Sequence, residues 1–234
     1  MDRHTRKELK SDKFAQEVQH SVQFVSGHRE QMLRWGAPAL ALVLIVTPIF
    51  YYRNYQHSAR QEGLHEALIA QNAQVGPSQG EYVLTFPTNE ARKTAVVKAW
   101  RDLAAKYPGT EEGRIAEYFL GTNAADDGNL AEAEKHFKAA IHSGKGPYAS
   151  LGKLALAQVY AGEGRGKEGI ELAQSLVDHP TVLVSKETAT LELAELLKKT
   201  DPQRAKKLVE PLRNSTRVAV SRAAITLDSD LSRP

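Results

Sequence analysis

Small and apolar residues recur along the second half of this chain at a fixed interval. Gly128, Ala133, Phe137 and Ala140 return as Gly164, Gly169, Ala173 and Leu176, each 36 residues further on. Ala133, Phe137 and Ala140 return once more, after another 36, as Ala205, Val209 and Leu212. Offsets of 5, 9 and 12 from the glycine place the three following positions on one face of a helix. A glycine turn followed by such a face is the pattern of stacked helical hairpins, each burying a side on its neighbour. Arrays of this kind leave a long groove for partners, so the pattern points to binding rather than chemistry.

The same patterning predicts the individual elements. Asn54–Ala73 reads as a helix with Leu64, Ala67, Leu68 and Ala73 apolar. The stretch Gln74–Thr88 breaks it with Gly76, Pro77, Gly80 and Pro87, and Tyr82–Phe86 within it reads as a short extended piece. Asn89–Lys106 is helical again, with Ala95, Val96, Trp100, Leu103 and Ala104 on its buried side. Tyr107–Thr110 ends it and caps the next. Glu111–Ala125 and Leu130–Ile141 form the clearest hairpin: Gly128 suits a left-handed turn, Asn129 with Glu132 matches a capping box, and Gly121 and Ala133 are small where the helices approach. Pro147 opens the next helix, and Pro180 stops its return partner. Ser185 caps Lys186–Lys199, and Asp201-Pro202 opens another helix. The connection there is one residue tighter, which puts the first helix of that hairpin one residue out of register. A last helix runs from Ser215 or Thr216 to about Leu227, with Val218, Ala219 and Ala223 apolar, and is expected to close the array with a more polar outer side.

The N-terminal third has a different pattern. Trp35–Tyr52 contains 18 residues without a charge, and Leu40–Phe50 has only Thr47 as a polar side chain. At about 1.5 Å per residue the stretch extends about 27 Å, close to the hydrocarbon thickness of a bilayer. Trp35 stands at one edge and Tyr51 and Tyr52 at the other, where aromatic rings favour the headgroup level. A buried core helix of this length without a polar face is rare, and Tyr51-Tyr52-Arg53 is not a signal-peptide cleavage site. The stretch therefore predicts a transmembrane signal anchor, with Pro48 kinking the helix or loosening its last turn. Ahead of it, Phe14, Val18, Val22 and Val25 recur at helical spacing, which predicts a short amphipathic helix within Lys13–Val25.

Charge refines this layout. The chain has 31 Lys and Arg against 28 Asp and Glu. Residues 1–34 carry seven basic and five acidic side chains, and residues 54–234 carry 23 of each sign. The basic excess before the span places residues 1–34 in the cytoplasm and the remainder across the membrane. A neutral distal region lacks the basic patch that nucleic-acid binding requires. Cysteine is absent, which excludes disulfides and thiolate sites.

Catalytic chemistry finds no support in the spacing. The eight histidines show no HExxH pattern, and His136 and His142 are six apart, the wrong separation for one helix face. Gly162–Lys167 lacks the GxxxxGK[ST] spacing and follows a helix, which fits a hairpin turn. The chain reads as a non-enzyme without cofactor, metal or small-molecule substrate.

Tyr118-Phe119-Leu120-Gly121, with Ala124, Gly128, Ala133, Phe137 and Ala140, resembles the tetratricopeptide repeat (TPR), as do Leu156-Ala157, Tyr160 and Gly164. The repeat's usual tryptophan position holds Glu117 in the first hairpin and Lys153 in the second. The resemblance covers about Arg114 to Leu212. It implies an all-α fold of TPR-like helical hairpins, which together with the apolar stretch predicts a TPR-like helical hairpin solenoid with a single N-terminal transmembrane helix. The chain then divides into a cytoplasmic arm (1–34), a transmembrane helix (35–52), a juxtamembrane helix and loop (53–88) and a repeat domain with a closing helix (89–234).

In TPR proteins partners lie along the concave face of the first helices. That register puts Tyr118, Thr122, Asp126, Gln158, Leu191, Glu195 and Lys198 on it. A clamp for a C-terminal carboxylate would need Lys, Arg or Asn there. The first two hairpins supply Thr122, Asp126 and Gln158 instead, so a more apolar or extended ligand is expected.

The whole layout, with Lys106-Tyr107-Pro108-Gly109-Thr110 ahead of a repeat helix, is similar to the ancillary SecYEG translocon subunit family of bacteria. The resemblance implies a protein-binding adaptor of the inner membrane, with its N-terminus cytoplasmic and its repeats periplasmic. Its implied partners are Sec translocon subunits, periplasmic chaperones or exported chains, together with membrane lipid. The chain departs from that family in a longer arm and a prominent insertion at Gly76–Pro87. The alternative is a cytoplasm-facing scaffold of an envelope complex that self-associates through its repeats.

Overall fold

A computed structural model describes residues 34–35, 37–77, 80, 83–142 and 146–232. The amphipathic helix expected within Lys13–Val25 lies outside the described residues. The chain divides into two compact units, Met1–Ser58 and Ala59–Pro234.

Beyond Arg34 and Trp35, the described part of the first unit is the start of a long helix, α1 (Ala37–Gln71), which runs through Pro48. The expected span and the expected helix from Asn54 are thus one element. No glycine or proline lies between Pro48 and Gly63 to separate them. Leu42, Val43, Leu44, Ile45 and Val46 are all exposed. Five successive positions at 100° each turn through a full circle, so the apolar surface has no polar side. Among the described residues no helix is long and apolar enough to cross a membrane. Residue 36, inside the uncharged stretch, is not among them.

The second unit is almost entirely helical. It takes in the end of α1 from Ala59, then α2 (Asn89–Lys106), α3 (Glu111–Asp126), α4 (Leu130–Ile141), α5 (Pro147–Gly162), α6 (Gly166–Asp178), α7 (Lys186–Leu197), α8 (Pro202–Val209), a 3₁₀ turn (Glu210–Asn214) and α9 (Val218–Leu231). Two short strands, β1 (Gln74–Val75) and β2 (Thr85–Phe86), pair in parallel between α1 and α2. Only Thr85 and Phe86 of the expected extended piece form strand; Val83 and Leu84 lead into it, and Tyr82 lies outside the described residues.

Side-chain caps fix where the helices begin. The Thr110 hydroxyl accepts from the Gly113 N–H at 3.1 Å, Ser185 from Thr188 at 3.3 Å, and the Asp201 carboxylate from Arg204 at 3.0 Å. Asn129 caps α4 by accepting from the Glu132 N–H at 3.3 Å. The reciprocal half of the expected capping box is not made. The Asn129 N–H donates instead to the Ala124 carbonyl at 2.9 Å, and the Glu132 carboxylate turns to Lys135 at 2.9 Å and His136 at 3.1 Å. Asn129→Ala is expected to cost about 1 kcal/mol, read as a lower urea midpoint with unchanged slope.

Helix ends and close approaches follow the glycines. Gly128 has φ +72°, which lets the chain turn from α3 into α4. A Cβ at Gly121 would stand 2.7 Å from the Phe137 ring, so α3 and α4 pack at a distance only glycine permits. Phe137, Ala133 and Ala140 are buried, as are their repeats Ala173, Leu176, Ala205 and Val209, whereas Leu212 is half-buried in the 3₁₀ turn beyond α8. The closing helix departs from expectation. Its outer side carries Val218, 69% exposed, and Ile225, 52% exposed, because only Val220, Ala224 and Leu227 of α9 are fully turned inward.

Candidate protein-binding face

The first helices of the hairpins pack in series: α3 on α5, α5 on α7, and α7 on α9. Their buried positions keep register. Leu120 is followed after 36 residues by Leu156 and after 37 more by Leu193, all buried. The one-residue offset of α7 is thus present. Ahead of α7 a tight turn absorbs the extra residue. The Thr181 N–H donates to the Val184 carbonyl at 2.9 Å, the Thr181 hydroxyl donates to Ser150 at 2.8 Å, and Val184 is buried.

On α3, Tyr118 is half-buried in an aromatic cluster, with ring centroids 5.4 Å from Phe119, 5.5 Å from Tyr148 and 6.0 Å from Phe137. Edge-to-face contacts of this kind fix the ring and leave its rim to a partner. The Thr122 hydroxyl donates to the Tyr118 carbonyl at 3.1 Å, and Asp126 is exposed near the end of the helix.

The other four expected residues gather around a groove of about 650 Å³ between α7 and α9. Leu191 and Glu195 line it, with Glu192, Ala219, Arg222 and Ala223 among the other walls. The exposed Gln158 of α5 donates to the Glu192 carboxylate at 2.9 Å. Lys198 pairs with Asp230 at 3.2 Å and Glu195 at 3.7 Å, which ties α7 to α9. Burial pushes the Glu192 carboxyl above its ordinary range; the Gln158 hydrogen bond opposes this, and the nearby Glu195 charge adds to it.

Sequence reasoning missed Glu192. In the register of the hairpins its equivalents are Phe119 and Ala155, 36 and 37 residues apart along the series. Both pack against the core. A carboxylate at an otherwise apolar repeat position was the available signal.

The charge clusters elsewhere are tied into the hairpins. Arg165, in the turn between α5 and α6, meets Glu168 at 2.7 Å, Glu134 at 2.9 Å and Glu163 at 3.0 Å and lies 4.0 Å over the Tyr160 ring. Those carboxylates, Glu168 foremost, raise the guanidinium further above its ordinary value. His136 sits between Glu117 at 2.6 Å and Glu132 at 3.1 Å and joins α3 to α4. Among the described residues no group of three or more His, Asp or Glu is placed to hold a metal ion.

Antiparallel hairpins stacked through small residues, with their first helices side by side, define a helical-repeat solenoid. The chain belongs to the tetratricopeptide repeat-like domain family, whose model matches residues 34–182. The match takes in the apolar start of α1 and reaches the turn ahead of α7. No curated protein and no solved structure matches the chain. Domains of this family are typically protein-interaction modules rather than enzymes, so protein is the class of partner the fold supports.

Proposed function

We propose that this protein is an inner-membrane adaptor that binds polypeptide through its TPR-like hairpins and assists export at the Sec translocon or hand-over to periplasmic chaperones. The observation that carries the reading is the joining of two surfaces in one chain. A helix with large apolar side chains exposed on all sides precedes an array of protein-binding hairpins. Exposed apolar surface around a whole helix is costly in water and favourable in lipid. The anchor is the full uncharged stretch Trp35–Tyr52, including residue 36. The basic arm before it favours a cytoplasmic N-terminus, and the charge-balanced region after it suits a face that meets varied chains. The resemblance to the ancillary translocon subunits supplies the compartment and the partners.

The test is direct. The chain is expected to stay in the membrane pellet in alkaline carbonate; release into the supernatant overturns the anchor. A photocrosslinker at Tyr118 in living cells is expected to trap a translocon subunit, a chaperone or an exported chain; trapping none of these overturns the role. A second reading is a cytoplasm-facing scaffold, which the exposed Val218 and Ile225 favour as a surface for self-association. A reporter fused after Pro234 separates the two, since activity only in the cytoplasm supports the scaffold and overturns the adaptor.

A further inference from the structure

Glu112 and Glu192, one buried and one half-buried in the hairpin array, are partnered differently. Glu112 is 4% exposed and fully partnered: Arg60 donates to it at 3.1 Å and Gln61 at 2.7 Å. Glu192 is half-buried on the wall of the α7–α9 groove, and its hydrogen-bond partner is the neutral amide of Gln158. The charge acting on it is the repulsive one of Glu195, and among the described residues no cation pairs with it. A desolvated carboxylate without a counter-charge lowers stability. Glu192 moreover stands where the two preceding hairpins place Phe119 and Ala155 in core contact. The fold alone would favour an apolar residue there.

The groove around it has a consistent chemistry. Leu191, Ala219, Ala223 and Leu227 give it apolar walls, and Glu192, Glu195 and Asp230 give it three acids. Lys198, which follows α7, is already engaged with Glu195 and Asp230. Arg222 also lines the groove but is exposed, so its charge remains solvated.

We infer that this groove takes a Lys or Arg side chain of a bound polypeptide segment, with the cationic head on Glu192 and Glu195 and a neighbouring aliphatic side chain against Leu191, Ala219, Ala223 and Leu227. The inference rests on the protein-binding reading above and adds the partner's chemistry: a basic residue beside aliphatic ones. The arriving cation supplies the counter-charge that the fold omits, so the energy lost by burying Glu192 is regained only in the complex. A long basic side chain also suits the geometry, since its methylene stem can lie on apolar walls while its head reaches the acid.

The experiment uses the full chain in detergent micelles and two fluorescent peptides, Gly-Ser-Leu-Leu-Lys-Leu-Leu-Ser-Gly and the same peptide with Gln in place of Lys. The Lys peptide is expected to bind about tenfold more tightly than the Gln peptide, equivalent to about 1.4 kcal/mol. Glu192→Gln is expected to abolish that preference while leaving the Gln peptide's affinity unchanged. Glu187→Gln, which removes an equal charge from the exposed Arg217 pair, is expected to preserve it. Equal affinity for the two peptides overturns the inference, as does a preference that survives Glu192→Gln, or failure of both peptides to bind. The Tyr118 crosslink, placed on α3 and not on this groove, judges the adaptor role separately in each case.

A stability measurement shows whether Glu192 serves the fold instead. Burial favours its protonated form in the folded chain, so its stabilising contribution is present below the ordinary value of 4.5 and lost as pH rises through the raised folded value. Glu192→Gln is therefore expected to unfold at or above the wild-type urea midpoint at pH 7, with the difference closing below 4.5. A lower midpoint at pH 7 would assign Glu192 a structural role and overturn the inference.

Discussion

Trp100→Ala is expected to lower the stability of the hairpin array by about 3–5 kcal/mol, the cost of removing a fully buried large aromatic side chain. Trp100 is 0% exposed, its ring stacks on Phe119 at 4.4 Å, and its indole N–H donates to the Gln71 side chain at 2.9 Å. It joins three elements at once, because Gln71 ends α1, Trp100 lies in α2 and Phe119 in α3. Truncation opens a cavity among Val96, Leu103, Ile115, Leu120 and their neighbours and leaves the Gln71 carbonyl without its donor. Trp100→Phe is expected to recover part of the loss, since it restores a ring but not the hydrogen bond. Helicity at 222 nm followed through urea measures both variants. In a stacked array each hairpin leans mainly on its neighbours, so the damage stays local. Hydrogen exchange in Trp100→Ala is expected to lose protection first in α2 and the end of α1, while α7 and α8 keep theirs. Uniform loss across the chain would show that the hairpins unfold as one block.

Much of this architecture was legible because the array repeats its packing. A 36-residue recurrence of small and apolar positions identified Ala133, Phe137, Ala173, Ala205 and Val209 as core, and all are buried. Gly128 and Gly164 were readable as turn residues, and both have positive φ. The offset of α7 could be read from the tight connection at Asp201. Other features needed the fold. Continuity of α1 could not be seen, because a change from apolar to polar composition looks like a boundary while the backbone has no reason to break there. The capping box failed because Glu132 found side-chain partners, Lys135 and His136, that lie on α4 itself, and a motif match does not rank competing donors. Glu192 escaped notice because a lone glutamate on a helix ordinarily faces water. Only the packing of α9 beside it and the hydrogen bond from Gln158 of α5 show that it is half-buried.

The α3–α4 contact sets up the second large effect. Phe137→Ala is expected to cost about 3–5 kcal/mol, since the ring is 1% exposed and packs beside Leu156, Val159 and Tyr160. Gly121→Val works on the same space from the other side. A Cβ there would already stand 2.7 Å from two atoms of the Phe137 ring, and the branched methyls would extend beyond it. Overpacking of this sort costs about 1–3 kcal/mol, and it exceeds the roughly 0.5 kcal/mol of helix propensity that valine gains over glycine. The two substitutions share one volume, so their effects cannot add. In the double variant the valine enters the cavity left by the ring, and the combined loss is expected to fall short of the sum by about 1 kcal/mol or more. A double-mutant cycle from urea unfolding measures that coupling. Strict additivity would mean that α3 and α4 approach through some other contact, and the reading of Gly121 as the residue that sets their spacing would fail.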